Sequence, residues 1–201
     1  MILLVQPPFV QLNTPYPSLY YLKTFLESEG YTTQIQDHSI DVFHRIFSRQ
    51  GLKRIFADGE TALRKDSRLG KDQQQIAWSY ISQQDKWLDQ IEHLISFLQG
   101  KNREYAHLLC LCNNLLPQGP RTSSLMERFE GNLLPDQAVL LASTLLADLA
   151  DFITAVLDPT FSLVKYADTL AASIRSFKTV ETALDGYILR QFYQEFLEES
   201  T

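Results

Sequence analysis

Between Gln6 and Ser18 the chain gathers amide, hydroxyl and aromatic side chains around a pair of prolines. Gln6, Asn13, Thr14 and Ser18 bring neutral donors and acceptors, and Phe9 and Tyr16 bring flat apolar faces. Pro7 and Pro8 stiffen the segment that carries them. Asp37 and Ser39 add a carboxylate and a hydroxyl further on. Together these groups suit the holding of a polar, partly planar ligand. The plainer reading is that the prolines merely stiffen a long turn, and both stand at this point. Asp148 and Asp151 lie three apart on one helical face, a spacing that suits paired carboxylates in acid–base chemistry. A polar stripe or a set of helix contacts explains the same spacing. Cys110 and Cys112 stand at i, i+2 and point to different sides of a helix, so they read as small buried apolar residues. His38, His44, His93 and His107 are scattered, no pair forms a metal face at i, i+4, and each reads as a surface or capping residue. GxGxxG, Walker A, GxSxG and HExxH patterns are absent.

The elements that must position the first group are legible. Ile2-Leu3-Leu4-Val5 is a continuous apolar run, as in a strand covered on both faces, and the prolines stop it. Pro17 to Glu29 fits a helix, with proline in its first turn and Gly30 at C′. Thr32 to Gln36 alternates and reads as a second strand. The connection leaving the first strand is about 11 residues long, beyond the usual 2–6 for such a unit. In parallel α/β sheets ligands bind outside the carboxyl ends of the strands, where Gln6–Pro17 and Asp37–Ser39 both begin.

Beyond the second strand the pattern is helical, with no third strand of that sheet. Ser39 as N-cap and Asp41 in the first turn open a helix running through Arg49. A shorter helix is expected over Gly51–Asp58, then a loop or weak helix over 59–72. A long amphipathic stretch spans Gln73–Gln99, broken near Ser82–Gln84. Another helix covers Asn102–Asn113 and ends before Pro117-Gln118-Gly119-Pro120. Pro135 starts the clearest helix, apolar over Val139–Leu157 and stopped by Asp158-Pro159. Three short helices come last, over Leu163–Ile174, Val180–Leu184 and Ile188–Leu197. The expected fold is therefore mainly α with a small parallel β element: an incomplete Rossmann-like βαβ start over residues 1–40, then a helical region over 41–201.

Composition narrows the function. No apolar run approaches the roughly 20 residues of a membrane span, and Ile2–Val5 is too short for a signal peptide's core. Residues 1–121 carry 13 Lys+Arg against 12 Asp+Glu, while residues 122–201 carry 5 against 12. Such an acidic C-terminal third is a poor partner for phosphate backbones, so nucleic-acid binding is disfavoured. Two cysteines make no disulfide framework, and a reducing, cytoplasmic setting is expected.

The string Ile2–Phe9, followed by Thr14-Pro15-Tyr16-Pro17-Ser18-Leu19, Tyr21-Leu22-Lys23 and Phe25-Leu26, resembles the start of cobalamin-binding-domain radical SAM proteins. Gly30 and Asp37 match that pattern's glycine and strand-ending aspartate. Gln118-Gly119-Pro120-Arg121, Leu146–Asp151 and Asp158-Pro159-Thr160-Phe161 are similar to a helical insertion in one subgroup. The resemblance implies a cofactor-binding domain, with Gln6, Pro7, Pro8, Phe9, Asn13, Thr14, Tyr16, Ser18, Asp37 and Ser39 as its cofactor-binding residues. It also implies cobalamin in a complete parent protein. S-adenosylmethionine and a [4Fe–4S] cluster are implied only if a further C-terminal part supplies the cysteines of a CxxxCxxC loop, because two cysteines spaced CxC cannot. The DxHxxG signature is absent, since Asp37 and His38 are adjacent, and so is the late Gly-Gly-rich segment. The implied partners are the remainder of such a protein or a second copy, with no nucleic acid and no membrane. Two other readings remain: a free-standing helical interaction module, and a small self-contained enzyme centred on Asp148 and Asp151 or on the Pro-Pro loop.

Overall fold

The computed structural model describes residues 1–8, 17–65, 69–112, 115–131, 133–163 and 177–199. Its contacts divide the chain into two compact units: Met1–Ile46 with Ser162–Thr201, and Phe47–Phe161. The architecture is mainly helical with one small parallel sheet.

In the first unit β1 (Ile2–Gln6) and β2 (Thr33–Asp37) pair in parallel from Ile2↔Thr33 to Gln6↔Asp37. Helix α1 (Pro17–Ser28) connects them and ends as its sequence requires. Gly30 takes φ +86°, where an L side chain is strained, and the Tyr31 amide returns to the Leu26 carbonyl at 3.0 Å. Lys23 on α1 donates to the Thr33 carbonyl, and the Thr33 hydroxyl donates to Glu27. Leu4, Gln6 and Thr33 are buried, but Leu3 is 47% exposed and α1 buries no residue at all. The apolar run of β1 is thus covered on one face and not on both. Helix α2 (His38–Ile46) leaves β2 without a loop, the Asp37 carboxylate accepting the Ile40 amide at 3.1 Å. Near the C-terminus α9 (Phe177–Leu184), a π turn over Leu189–Tyr193 and α10 (Gln194–Glu199) belong to this same unit. The helix expected over Leu163–Ile174 falls, apart from Leu163, outside the described residues.

The second unit is a helical bundle around α8 (Ala138–Val156), entered through a 3-10 turn at Pro135–Gln137. Helix α3 runs unbroken from Arg49 to Lys65, where the sequence pattern predicts a shorter helix over Gly51–Asp58 and then a loop or weak helix. Gly59 does not end it. Leu52, Ile55, Phe56, Gly59 and Leu63 form one buried stripe, and an ideal Cβ at Gly59 would lie 3.2 Å from the Phe152 ring of α8. Glycine here is a point of close helix approach, kept inside a helix despite an intrinsic cost of about 1 kcal/mol. Helices α4 (Lys71–Ser82) and α5 (Gln84–Leu98) break at Gln83, as the sequence predicts. Tyr80 of α4 stacks on Phe152 and on Trp87 of α5, with centroids 5.4 and 6.3 Å apart, and all three rings are buried. Helix α6 (Tyr105–Leu111) is shorter than the pattern suggests, and α7 (Pro120–Arg128) occupies a stretch with no helical signal of its own. The Pro-Gln-Gly-Pro string that reads as a stop also starts α7, with Pro120 at its first turn. Pro135–Val156, 22 residues, is long and apolar enough to cross a membrane by length and composition, contrary to the reading that no run approaches that length. Half of its most apolar window is buried inside the protein.

Candidate functional site

The parallel register places the carboxyl ends of both strands at one edge. Gln6 stands opposite Asp37, and Pro7-Pro8 and His38-Ser39 leave side by side from there. Gln6, His38 and Ser39 are buried, Asp37 and Pro8 are half-buried, and Pro7 is exposed. Ser18 lies exposed in the first turn of α1. Phe9, Asn13, Thr14 and Tyr16 lie outside the described residues. Of the ten binding residues expected from the sequence, Gln6, Pro7, Pro8, Asp37 and Ser39 meet at this edge. Tyr20 and Tyr21 of α1 project to solvent, Tyr21 with 76% of its surface exposed.

His38 is the residue at this edge whose placement the sequence pattern misses. It is no surface histidine. Its Nε2 lies 3.1 Å from the Gln36 Oε1, and its Nδ1 lies 3.2 Å from the Tyr193 hydroxyl. An amide oxygen only accepts, so Nε2 carries the proton and Nδ1 accepts from Tyr193. The ring also meets Phe196 edge-on at 4.8 Å. Further along α2, Arg45 sits 4.9 Å over the Phe196 ring and pairs with Glu199 at 2.6 Å, which holds the Glu199 carboxyl below its ordinary range. Burial raises the Tyr193 phenol. Both ring nitrogens of His38 are therefore engaged, and the imidazole is not presented to a metal. No local pattern could have shown this, because its partner is 155 residues away. His44, His93 and His107 are exposed, as expected.

Asp148 and Asp151 face different surroundings and take different partners. Asp148, only 2% exposed, accepts from the backbone amides of Gly119, Arg121 and Thr122 at 3.1, 3.0 and 2.9 Å. Its carboxylate is the cap of α7, where orphan amides and the helix dipole both favour a negative charge. Asp151 faces solvent and takes a two-pronged contact from Arg121 at 2.6 and 3.1 Å, which raises the Arg121 guanidinium. Gly119-Pro120-Arg121 and the two aspartates are thus one structural device. Asp158 acts locally in the same way, its Oδ1 accepting the Thr160 amide and hydroxyl.

The cysteines also depart from expectation. Cys110 is half-buried, with its thiol directed at the Leu134 carbonyl 3.5 Å away, and Cys112 is exposed. Burial, and then the charge of Asp136, push the Cys110 thiol up. Since the thiolate is the reactive form, iodoacetamide is expected to alkylate Cys112 at least about tenfold faster than Cys110. Mass spectrometry of the first product locates the label, and first labelling at Cys110 would contradict this placement. Cys112 also lines a shallow apolar cleft with Leu109, Leu116, Met126, Leu141 and Leu145, which has room for about one water molecule. Among the described residues no three His, Cys, Asp or Glu side chains come together as a metal site. Comparison of the chain with family models, curated proteins and solved structures returns no match.

Proposed function

We propose that this chain is the N-terminal portion of a cobalamin-binding radical SAM-type protein, contributing part of a cofactor-binding domain and not catalytic alone. The observation that carries the reading is the sheet, which has two strands among the described residues. Two parallel strands bring Gln6 and Ser39, both buried, together with Asp37 to one carboxyl edge, while Leu3 is exposed and α1 has no fully buried residue. A parallel sheet wants both faces covered and more than two strands, so further strands suit this one. Neutral amide and hydroxyl groups fit a ligand rich in amides and hydroxyls, which Gln6 and Ser39 would hold. Cobalamin, when bound, supplies a cobalt centre for group or electron transfer. His38 stays with Gln36 and Tyr193. A [4Fe–4S] cluster does not fit Cys110 and Cys112, which are too few for a cluster held by thiolates. Two free thiols suit a reducing, cytoplasmic compartment.

The test begins with the transcript. A reading frame that continues past Thr201 into a CxxxCxxC loop supports the proposal, and a stop codon in its place overturns it. Hydroxocobalamin added to the product of that frame is expected to shift its corrin absorbance bands, and Ser39→Phe is expected to abolish the shift.

A second reading, a helical interaction module, draws on the bundle of Phe47–Phe161. Leu111, Leu134, Val139 and Leu140 stand exposed there on α6, α8 and the turn between α7 and α8. Capture of a partner by that unit, lost in Leu111→Asp, would favour it.

A further inference from the structure

Among the described residues three polar side-chain atoms are buried without a hydrogen-bond partner: the Tyr80 hydroxyl, the Trp87 indole nitrogen and the Thr122 hydroxyl. Two of them belong to residues around Asp148. Tyr80 on α4 is 1% exposed and Thr122 on α7 is 0% exposed, so bulk solvent reaches neither. A hydroxyl moved from water into a protein interior costs stability unless something replaces its lost hydrogen bonds. Nearly every such group in a folded protein has a partner, from the chain itself or from an ordered water.

Both hydroxyls belong to side chains that start beside the Asp148 carboxylate. The Thr122 amide donates to Asp148 Oδ2 at 2.9 Å, which fixes the root of its side chain there. Tyr80 approaches from another helix. Its ring stacks on Phe152 with centroids 5.4 Å apart, and Phe152 follows Asp148 by four residues on the same face of α8. Burial raises the Tyr80 phenol, and the charges of Asp148 and then Asp151 raise it further, which requires those carboxylates nearby.

The carboxylate itself has one position to spare. Two ionised oxygens offer about four acceptor sites. The amides of Gly119 and Thr122 take both at Oδ2, and the Arg121 amide takes one at Oδ1. Oδ1 therefore keeps one.

We infer that α4, α7 and α8 share an internal water site, where one molecule accepts from the Tyr80 and Thr122 hydroxyls and donates to Asp148 Oδ1. Donors and acceptors match. Each hydroxyl has one O–H to give, and the two lone pairs of water receive them. One O–H of the water then fills the last position on Asp148. Three hydrogen bonds result, the usual number for a buried water. The site lies wholly within Phe47–Phe161 and holds whatever the strands of the first unit bind.

Urea unfolding of the Met1–Thr201 chain tests the site through Tyr80→Phe and Thr122→Val, each close in shape to the residue it replaces. An unpartnered buried hydroxyl is better lost, so its removal would raise the folding equilibrium constant. A hydroxyl bound to water behaves in the opposite way. Each substitution is expected to lower the folding constant about fivefold, the factor of one net hydrogen bond. The double variant is expected to fall short of the product of the two losses by at least about threefold, because both hydroxyls hold the same water. Crystals of the wild-type chain are expected to show solvent density within hydrogen-bond reach of Tyr80 Oη, Thr122 Oγ1 and Asp148 Oδ1, and crystals of the double variant to lack it. A raised or unchanged folding constant in either single variant overturns the site. So does a fully multiplicative loss in the double variant, or wild-type density that defines the three side chains with no solvent between them.

Discussion

Asp148→Ala is expected to lower the stability of the Phe47–Phe161 unit by about 3–5 kcal/mol, the scale set by several buried amides left without an acceptor. Three backbone amides, those of Gly119, Arg121 and Thr122, would lose their acceptor. Each unsatisfied buried donor costs about 1–3 kcal/mol, and alanine leaves a space too small to rehydrate all three. Asp148→Asn should cost about half as much, since one oxygen still accepts while the new NH2 group faces amide donors. Urea unfolding followed by the fluorescence of buried Trp87 reads the loss. A loss under about 1 kcal/mol would mean that the α7 amides have another acceptor.

Gly119→Ala attacks the same cap from the other side. An ideal Cβ at that position lies 2.5 Å from the Asp148 Cγ, 2.6 Å from its Oδ1 and 2.8 Å from its Cβ. The backbone itself is no obstacle, because φ −93° and ψ −175° are open to alanine. The cost is steric, and the obstructing carboxylate cannot swing away without releasing its three amides. Overpacking of about 1–3 kcal/mol, with hydrogen bonds lost besides, gives an expected loss of about 2–4 kcal/mol. Gly70→Ala is the matched control. Nothing lies within 4 Å of its added Cβ, and the change should stay within about 0.5 kcal/mol. Combining Gly119→Ala with Asp148→Ala should cost at least about 1 kcal/mol less than the sum, since each removes what the other disturbs. Additive losses would show that the two residues act separately.

These two positions also show what a sequence displays and what it hides. Punctuation that works locally is legible: Gly30 closing α1, the break at Gln83, Pro135 opening the central helix. Roles set by a distant partner are not. Gly59 looks like a helix breaker until Phe152 is seen against it, and Gly119 looks like loop until Asp148 fills the space beside it. Asp148 and Asp151 share a face by spacing, yet one is drawn into the core by amides 26 to 29 residues earlier and the other is left outside. Cys110 and Cys112 sit at the end of a short helix rather than within a long one, so Cys112 is exposed. The candidate site divides in the same way. The two strands can be read from their own residues, and pairing them in parallel brings Gln6 opposite Asp37. Tyr193 and Phe196, by contrast, carry no local mark of their place beside His38.

The first unit is assembled from the two ends of the chain, so its synthesis is split in time. His38 and Tyr193 are 155 residues apart, with the whole of Phe47–Phe161 between them. At about 5–20 residues per second, roughly 8–30 s separate the emergence of the two partners from the ribosome. The intervening bundle is contiguous and can fold within that interval. The opening strands cannot finish theirs, and Leu3, Tyr21 and Phe25 remain open to solvent even in the folded chain. For those seconds the nascent N-terminus holds its strands without their distant partner, and a ribosome stalled before codon 193 would hold the bundle finished and His38 without Tyr193.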